Sequence, residues 1–278
     1  GPGTFVRDND LKPDGVPASV RGHLHEARVT VIDGTTAAPH HLNPHIPYET
    51  MPMPADVAPR SFAMPMGAAF SPAGDTLYVA AFGSSAVAVI DVADLEAGTF
   101  SPALGDRITV TGGGPTFVVV DATGTRAFVS TRFDNGVSTL DLATGVETAH
   151  VRLFNPEPLV VQQGRRFLYD ARLTSSNGEA SCGSCHVFGD MDDLAWDLGD
   201  PDGDVMPTFN RQGPLGSRAS FHPLKGPMTT QTLRGMAHGG PMHWRGDRTG
   251  ATAMDPDRDS AARAAPHTFG PAPPPPPA

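Results

Sequence analysis

Two cysteines and a histidine stand together in the segment Cys182-Gly183-Ser184-Cys185-His186, and the chain has no other cysteine. Thiols at this spacing can add to the two vinyl groups of a haem, and the imidazole that follows can bind the haem iron. We therefore predict one covalently attached haem c, with Cys182 and Cys185 as thioether anchors. His186 is the predicted proximal iron ligand, and a hydrogen-bond acceptor should orient its ring.

Three other roles for the two cysteines are open. A thioredoxin-like dithiol shares the spacing but needs a βαβ setting, whereas here the polar stretch 174–179 precedes the motif. A structural zinc site needs four ligands, and no second pair of closely spaced cysteines or histidines follows downstream. A disulfide between the two cysteines would be strained and would close almost no loop. The haem interpretation is favoured over all three.

The composition indicates an acidic globular protein with many turns. Of 278 residues, 39% are hydrophobic and 18% are charged, with 31 glycines and 29 prolines. This length allows one large or two medium domains, and the glycine and proline content favours turns over long helices. The formal net charge of −10 argues against nucleic acid or an anionic membrane as partner and suits a basic partner. No apolar run is long enough to predict a membrane span.

The two ends of the chain suggest a mature product or a piece of a longer polypeptide. The first residue is Gly1 rather than Met, and no charged and then apolar leader follows it. At the other end, residues 251–278 are rich in proline and alanine and are predicted to form a tail or linker. Its last part, residues 271–278, reads as extended polyproline.

A repeat occupies the first half of the chain. Residues 65–91 and 115–141 align without a gap at an offset of 50 positions. Each copy alternates short apolar runs with turns that contain glycine, which predicts three or four antiparallel strands. Repeats of this period are typical of β-propeller blades, and a generic meander or sandwich is the alternative. The predicted strands of the first copy are 68–70, 77–80 and 86–90, and residues 29–33 repeat the last of them upstream.

Residues 70–79 read FSPAGDTLYV and resemble the YVTN-type repeat of seven-bladed propellers. The resemblance covers roughly residues 29–160. Only two full copies are visible, whereas a closed ring needs at least about four blades. The resemblance therefore implies a partial β-propeller, which we assign to residues 1–163. The insert between Asp33 and Pro65 is predicted to be a long loop. Residues 158–161 are interpreted as the degraded start of a third copy.

The second half carries a different pattern. Residues 164–174 lead into the haem motif, and residues 225–233 and 244–248 lie downstream of it. Together they resemble the N-terminal haem domain of bacterial di-haem cytochrome c peroxidases. The resemblance implies a mainly α-helical or irregular cytochrome c-like domain, which we assign to residues 164–250. The predicted fold class of the whole chain is therefore mixed, with antiparallel β blades followed by this domain.

The same resemblance suggests residues for the far side of the haem. His222 lies within one position of the distal histidine of that family, and Met228 is the alternative, since thioether ligation raises the haem potential. Met242 and His243 are further candidates. Trp244 matches a tryptophan between the two haems of the family and is either an electron relay or a core residue that packs on the haem edge. One haem motif is present instead of two, so peroxidase turnover would need a second haem domain in a longer chain.

Two polar clusters are weaker metal candidates. Seven aspartates lie between positions 190 and 204, and Asp200, Asp202 and Asp204 alternate in a pattern that can bind Ca²⁺. No glutamate closes an EF-hand-type loop, so a solvated acidic loop able to dock a basic redox partner is favoured. Five histidines have no acidic or cysteine companion that would indicate a dedicated metal site; they are His23, His25, His40, His41 and His45.

These features predict an exported c-type cytochrome module that transfers one electron, with the propeller as docking scaffold. Covalent haem attachment takes place outside the cytoplasm, which predicts a periplasmic or cell-surface location. The alternative is part of a di-haem peroxidase-like oxidoreductase that acts on hydrogen peroxide. A third possibility is a propeller binding module whose cytochrome part is vestigial.

Overall fold

The computed structural model describes residues 2–6, 25–48, 50, 53–196, 206–207, 220–221 and 228–235. This part of the chain is mostly antiparallel β-sheet with a few short helices. Three sheets lie side by side, and a segment of short helices and loops follows them. No helix within the described ranges has the length and apolar character required to cross a bilayer.

The first sheet consists of β1 (Pro2–Val6), β2 (His25–Asp33) and β3 (Thr36–His41), in that order. The strand predicted at residues 29–33 is confirmed as part of β2. The prediction of one long loop after Asp33 is wrong, because β3 and the short helix α1 (Val57–Arg60) lie in that stretch. A two-residue turn closes the β2–β3 hairpin, and Gly34 in this turn has φ = 57°, which glycine adopts without steric cost.

The two sequence repeats form two four-stranded antiparallel sheets, each with its strands in chain order. The first three strands of the second sheet begin and end 50 residues after those of the first, which confirms the predicted repeat. We call these sheets the first and second blade, because consecutive up-and-down sheets of four strands are the units of a β-propeller. The first blade contains β4 (Pro65–Phe70), β5 (Thr76–Ala81), β6 (Ala86–Asp91) and β7 (Arg107–Thr109); the second contains β8 (Pro115–Val120), β9 (Arg126–Thr131), β10 (Gly136–Asp141) and β11 (Val146–Arg152).

The copies differ before their fourth strand. In the first blade, helix α2 (Val92–Ala97) and a 3₁₀ turn lengthen the connection between β6 and β7. Asp91 caps α2, and its side chain accepts a hydrogen bond from the backbone of Asp94. In the second blade a short turn joins β10 to β11 directly. The sequence repeat therefore covers the first three strands of each blade. The position of the fourth strand differs, because the connection that precedes it differs between the two blades.

Apolar residues on both faces of the first blade form the core, because side chains alternate between the two faces along each strand. The first sheet covers one face of this blade, and the second blade covers the other. One cluster joins Ala27 and Val29 of β2 to Leu77 and Val79 of β5. A second cluster lies between the blades and contains Tyr78 and Val87 of the first blade with Val118, Val129 and Leu140 of the second. The three sheets therefore bury two continuous apolar layers.

Helix α3 (Leu159–Tyr169) follows the second blade. Its position shows that our interpretation of residues 158–161 as a third repeat is wrong, since Leu159 begins a helix and not a strand. Pro158 precedes this helix with φ = −54°, a value that suits a helix start. Leu, Gln and Arg, which have good helix propensity, make up six of its eleven residues. The helix also spans both sides of the boundary that we placed between residues 163 and 164.

Tyr169 attaches the end of α3 to both blades. Its ring centroid lies 5.1 Å from that of Phe82, in the turn after β5, and 6.4 Å from that of Phe133, in the turn after β9. The rings of Phe82 and Phe133 are 5.3 Å apart in an edge-to-face arrangement. This aromatic cluster positions the chain just before the cysteine motif.

The described residues beyond Tyr169 are mostly irregular. They contain the short helices α4 (Ala171–Thr174) and α5 (Cys182–Cys185), followed by two pairs of short strands. We expected a mainly α-helical or irregular domain in this part, and its α-helical character is not supported. The strand pairs are β12 (Ala195–Trp196) with β15 (Met228–Thr229) and β13 (Met206–Pro207) with β14 (Ser220–Phe221).

Candidate haem-attachment site

The cysteine motif forms the single helical turn α5, and His186 is its C-cap. The backbone N–H of Ser181 donates a hydrogen bond to Ser184 Oγ at 3.1 Å, which closes the start of the turn. The hydroxyl of Ser181 donates to the sulfur of Met64 at 3.3 Å and so links the turn to the chain entering the first blade. Because Cys182 and Cys185 are three residues apart on a helix, they lie on the same face. Both are free thiols.

Gly183 lies against α3. A Cβ at this position would collide with the ring of Tyr169 and would lie 3.2 Å from the carbonyl oxygen of Leu168. Only a residue without a side chain therefore allows α5 to approach α3 this closely. The first position between the two cysteines is thus set by packing and not by chemistry at the thiols.

The ring of His186 is held by a backbone carbonyl. Its Nδ1 lies 2.7 Å from the carbonyl oxygen of Gln231. A carbonyl oxygen can only accept, so Nδ1 carries the proton and donates it, and the lone pair of Nε2 is left for a metal. Metal-binding histidines characteristically donate their other ring N–H in this way. Gln231 therefore provides an acceptor of the kind that the sequence led us to expect.

Two further contacts hold the segment around Gln231 against the motif. The backbone N–H of Leu233 donates to the carbonyl oxygen of Gly189 at 2.9 Å. The guanidinium of Arg234 lies 2.8 Å from a carboxylate oxygen of Asp190. This carboxylate belongs to the start of the aspartate-rich stretch, so here an aspartate pairs with an arginine of the same chain. Asp200, Asp202 and Asp204, the Ca²⁺ candidates, lie outside the described residues.

The surroundings of Cys185 favour the neutral thiol over the thiolate. Burial raises its pKa to about 11, and the neighbouring Asp192 and Cys182 act in the same direction. A redox-active dithiol requires a lowered pKa, and a zinc ligand must be a thiolate. Within the described ranges, no group of three or more histidine, cysteine or acidic side chains could hold a metal ion. The surroundings of Cys185 therefore favour neither the dithiol nor the zinc alternative.

Apolar side chains are exposed directly after the motif. Phe188 is 57% exposed and has φ = 52°, a left-handed conformation that is unfavourable for a residue with a side chain. Val187, Met191 and Leu194 are exposed as well. A flat apolar macrocycle that covers such side chains gains roughly 25 cal/mol for each Å² of apolar surface removed from water. The donor set and its apolar surroundings thus fit a haem.

Asp170 is fully buried at the start of α4 and pairs with Arg172. It accepts hydrogen bonds from the Arg172 Nη2 at 2.6 Å and Nε at 2.9 Å, and from the Ser85 hydroxyl at 3.2 Å. Burial by itself would raise the pKa of Asp170, but the hydrogen bonds and the charge of Arg172 outweigh it and lower the pKa. Since Ser85 belongs to the first blade, this ion pair also fixes α4 to the sheets.

Glu179 makes the second buried attachment, three residues before Cys182. It accepts hydrogen bonds from Tyr48 OH at 2.5 Å, His41 Nε2 at 2.8 Å, Asn43 Nδ2 at 2.9 Å and the Ala27 backbone at 3.0 Å. Burial raises the pKa of Glu179, whereas the hydrogen bonds, above all that from His41, lower it further than burial raises it. Sequence reasoning did not identify Glu179, because its partners are more than 130 residues away.

The remaining predicted residues do not assemble into a site. His41 binds Glu179, whereas His45 contacts the Val57 carbonyl and the Ser61 hydroxyl, and burial lowers the His45 pKa. His25 is buried in β2. Met228 belongs to β15, and the structure describes its backbone only. The candidates that lie outside the described residues altogether are His23, His222, Met242, His243 and Trp244.

No protein-family model matches the chain. No curated protein matches it either. Among solved structures, it is similar to a hydrazine synthase of Kuenenia stuttgartiensis, with 17% identity and a TM-score of 0.33 over 51% of this chain and 36% of that chain. It is also similar to a periplasmic gluconolactonase of Pseudomonas aeruginosa, with 16% sequence identity and a TM-score of 0.32 over 53% of this chain and 42% of that chain. A third similar structure is the β-propeller domain of Myceliophteria thermophila Cps50 (Swd1), with 13% sequence identity and a TM-score of 0.30 over 42% of this chain and 32% of that chain. The chain spans less than half the length of each of these structures.

Proposed function

We propose that the chain is a c-type cytochrome module that carries one electron on a single covalently bound haem. The hydrogen bond from His186 Nδ1 to the Gln231 carbonyl carries this proposal, because it leaves Nε2 ready to bind iron immediately after a pair of thiols on one helical face. A bound haem supplies the Fe(III)/Fe(II) couple.

The chain's own residues would hold and orient this group. Cys182 and Cys185 would anchor it through thioether bonds, and His186 Nε2 would bind its iron. Phe188 and its apolar neighbours would keep water away from it, which would help to set the potential. His222 or Met228 would supply a second iron ligand, and Trp244 is a candidate electron relay.

The sheets would act as the rigid support of the site. Asp170 and Glu179 are both buried and connect the segment before Cys182 to the first blade and to the first sheet. We assign these sheets to a partial propeller of YVTN-type repeats, and residues 164–250 to a cytochrome c-like domain similar to the N-terminal half of di-haem peroxidases. Because haem is attached outside the cytoplasm, we place the protein in the periplasm or at the cell surface. A basic redox protein suits the net charge of −10.

Expression together with a haem c maturation system tests the proposal. We expect a coloured product whose intact mass exceeds that of the polypeptide by one haem and whose pigment resists extraction with acidified acetone. A correctly exported chain that is colourless, or that releases its pigment into the solvent, would contradict the proposal.

Absorption spectra of the same preparation separate electron transfer from the peroxidase alternative. Six-coordinate iron that is unchanged by cyanide or peroxide supports an electron carrier. Five-coordinate ferric iron that bleaches a donor dye in the presence of hydrogen peroxide supports the peroxidase-like oxidoreductase instead. Haem that can be reduced but exchanges no electrons with small basic redox proteins supports the binding-module interpretation.

A further inference from the structure

Tyr48 faces a buried base. Its hydroxyl donates to Glu179 Oε2 at 2.5 Å and lies 3.2 Å from His41 Nε2. The rings of Tyr48 and His41 are nearly parallel, with centroids 6.2 Å apart. The other carboxylate oxygen, Oε1, is held by His41, Asn43 and the Ala27 backbone. The carboxylate is therefore fixed in place with one oxygen directed at the phenol.

This geometry favours the one-electron oxidation of a phenol. Removing an electron makes the phenolic proton strongly acidic, so oxidation becomes much easier when a hydrogen-bonded base can accept that proton. In this case the O–H bond of Tyr48 breaks, the proton moves to Glu179 Oε2, and the electron leaves to an external acceptor. The product is a neutral tyrosyl radical beside a neutral carboxylic acid, so no new charge is created inside the protein. Reduction returns the electron and the proton.

The other two tyrosines of the chain are in different surroundings. Tyr78 is buried between the blades, and Tyr169 packs against Phe82 and Phe133. Burial raises the pKa of both hydroxyls. Within the part of the chain that the structure describes, neither hydroxyl donates to a carboxylate. Among the described residues, Tyr48 is the one tyrosine whose hydroxyl donates to a fixed carboxylate.

We propose that Tyr48 is a redox-active tyrosine and that Glu179 accepts its proton, which gives the chain a second one-electron site. Glu179 precedes Cys182 by three residues, so their Cα atoms are at most about 11 Å apart. The connection to haem rests on the proposed function, whereas the chemistry of Tyr48 does not. The electron acceptor is a strong one-electron oxidant supplied from outside the chain, of the class of high-potential metal complexes.

A test that needs no haem uses the full-length polypeptide with photogenerated ruthenium(III) tris-bipyridine as the oxidant. Samples frozen after a flash are examined by electron paramagnetic resonance for a tyrosyl radical. We expect the signal in the wild-type chain and its loss in Tyr48→Phe. We also expect a strong decrease in Glu179→Gln, which keeps the size of the side chain but removes the base.

The matched control is the double variant Tyr78→Phe/Tyr169→Phe, in which Tyr48 is the only tyrosine. It should keep the signal, and circular dichroism establishes that each variant is folded. A radical that persists in Tyr48→Phe, or that disappears from the folded double variant, overturns the proposal. If Tyr48→Phe does not fold, the double variant decides alone. A chain that binds no haem can still form the radical, so failure of the cytochrome proposal is distinguishable from failure of this one.

Discussion

The Nδ1 atom of His186 lies 2.7 Å from the carbonyl oxygen of Gln231, which is 45 residues further along the chain. This hydrogen bond determines the tautomer and the direction of the His186 ring, and both suit the ligand role that we propose for Nε2. Replacing His186 with Ala should leave both thioethers intact but remove the proximal ligand. We expect a shift of the Soret band that added imidazole reverses. His40→Gln is the control and should have the wild-type spectrum; an unchanged spectrum in His186→Ala would contradict the assignment.

Each cysteine should contribute one thioether. Cys182→Ala and Cys185→Ala are expected to retain haem through a single bond, with the pyridine haemochrome band displaced towards that of a vinyl-bearing haem. The double variant should lose covalent haem completely. Mass spectrometry of the denatured chains measures this directly. A double variant that keeps covalent haem would show that the attachment site is elsewhere.

Gly183 should not tolerate a side chain. Gly183→Ala drives a methyl group into the ring of Tyr169, and we expect it to lower the free energy of unfolding by about 1–3 kcal/mol. Gly164→Ala is the matched control, since it lies in α3 and a Cβ there meets no atom within 4 Å. It should stabilise the chain by about 0.5–1 kcal/mol. Urea unfolding at a fixed temperature measures both, and equal stabilities for the two variants would refute the packing argument.

The two blades offer a comparison at one repeat position. Tyr78 is 7% exposed between the blades, and Phe128, 50 residues later, is 41% exposed on the outer face of the second blade. Tyr78→Ala should therefore destabilise the chain by about 3–5 kcal/mol, whereas Phe128→Ala should change its stability by about 1 kcal/mol or less. Similar losses in both variants would mean that another layer covers the second blade in solution.

The lowered pKa of Glu179 predicts how stability depends on pH. The carboxyl has a usual pKa of 4.5 when unfolded and a lower one when folded, so the unfolded state binds more protons between these values. Its stabilising contribution is complete above about pH 4.5 and is lost as the pH falls through the folded pKa. The free energy of unfolding of Glu179→Gln should therefore fall less steeply than that of the wild type between pH 5 and 3.

The exposed Glu96 provides the control for this prediction. Glu96→Gln makes the same substitution on the exposed surface of α2 and shows whether a changed slope is specific to position 179. Glu179→Ala should also lower stability at neutral pH by about 3–5 kcal/mol, because it leaves buried donors without their acceptor. A pH profile of Glu179→Gln that coincides with the wild type would contradict the buried-carboxylate interpretation.

Local patterns account for the correct predictions on the sheets. The strands at residues 68–70, 77–80 and 86–90 were recognisable because alternating apolar residues and glycine-containing turns are signals that span only a few neighbouring positions in the sequence. The same logic failed at residues 158–161, where a short apolar run suits a strand or a helix equally well. It also failed at β3, whose sequence has no clear alternation and whose pairing is set by the Gly34 turn and by β2.

The sequence by itself determined the cysteine–histidine motif and the 50-residue repeat, since each is a matter of residue type and spacing along the chain. Only the tertiary structure decided that Gln231 orients His186, that Tyr169 requires glycine at position 183, and that Glu179 meets His41 and Tyr48. These contacts join residues that are far apart in sequence, and no local pattern records which distant donor or carbonyl will fold against a given side chain. Their geometry follows from the packing of α5 on α3 and from the attachment of this segment to the sheets through Tyr169, Asp170 and Glu179.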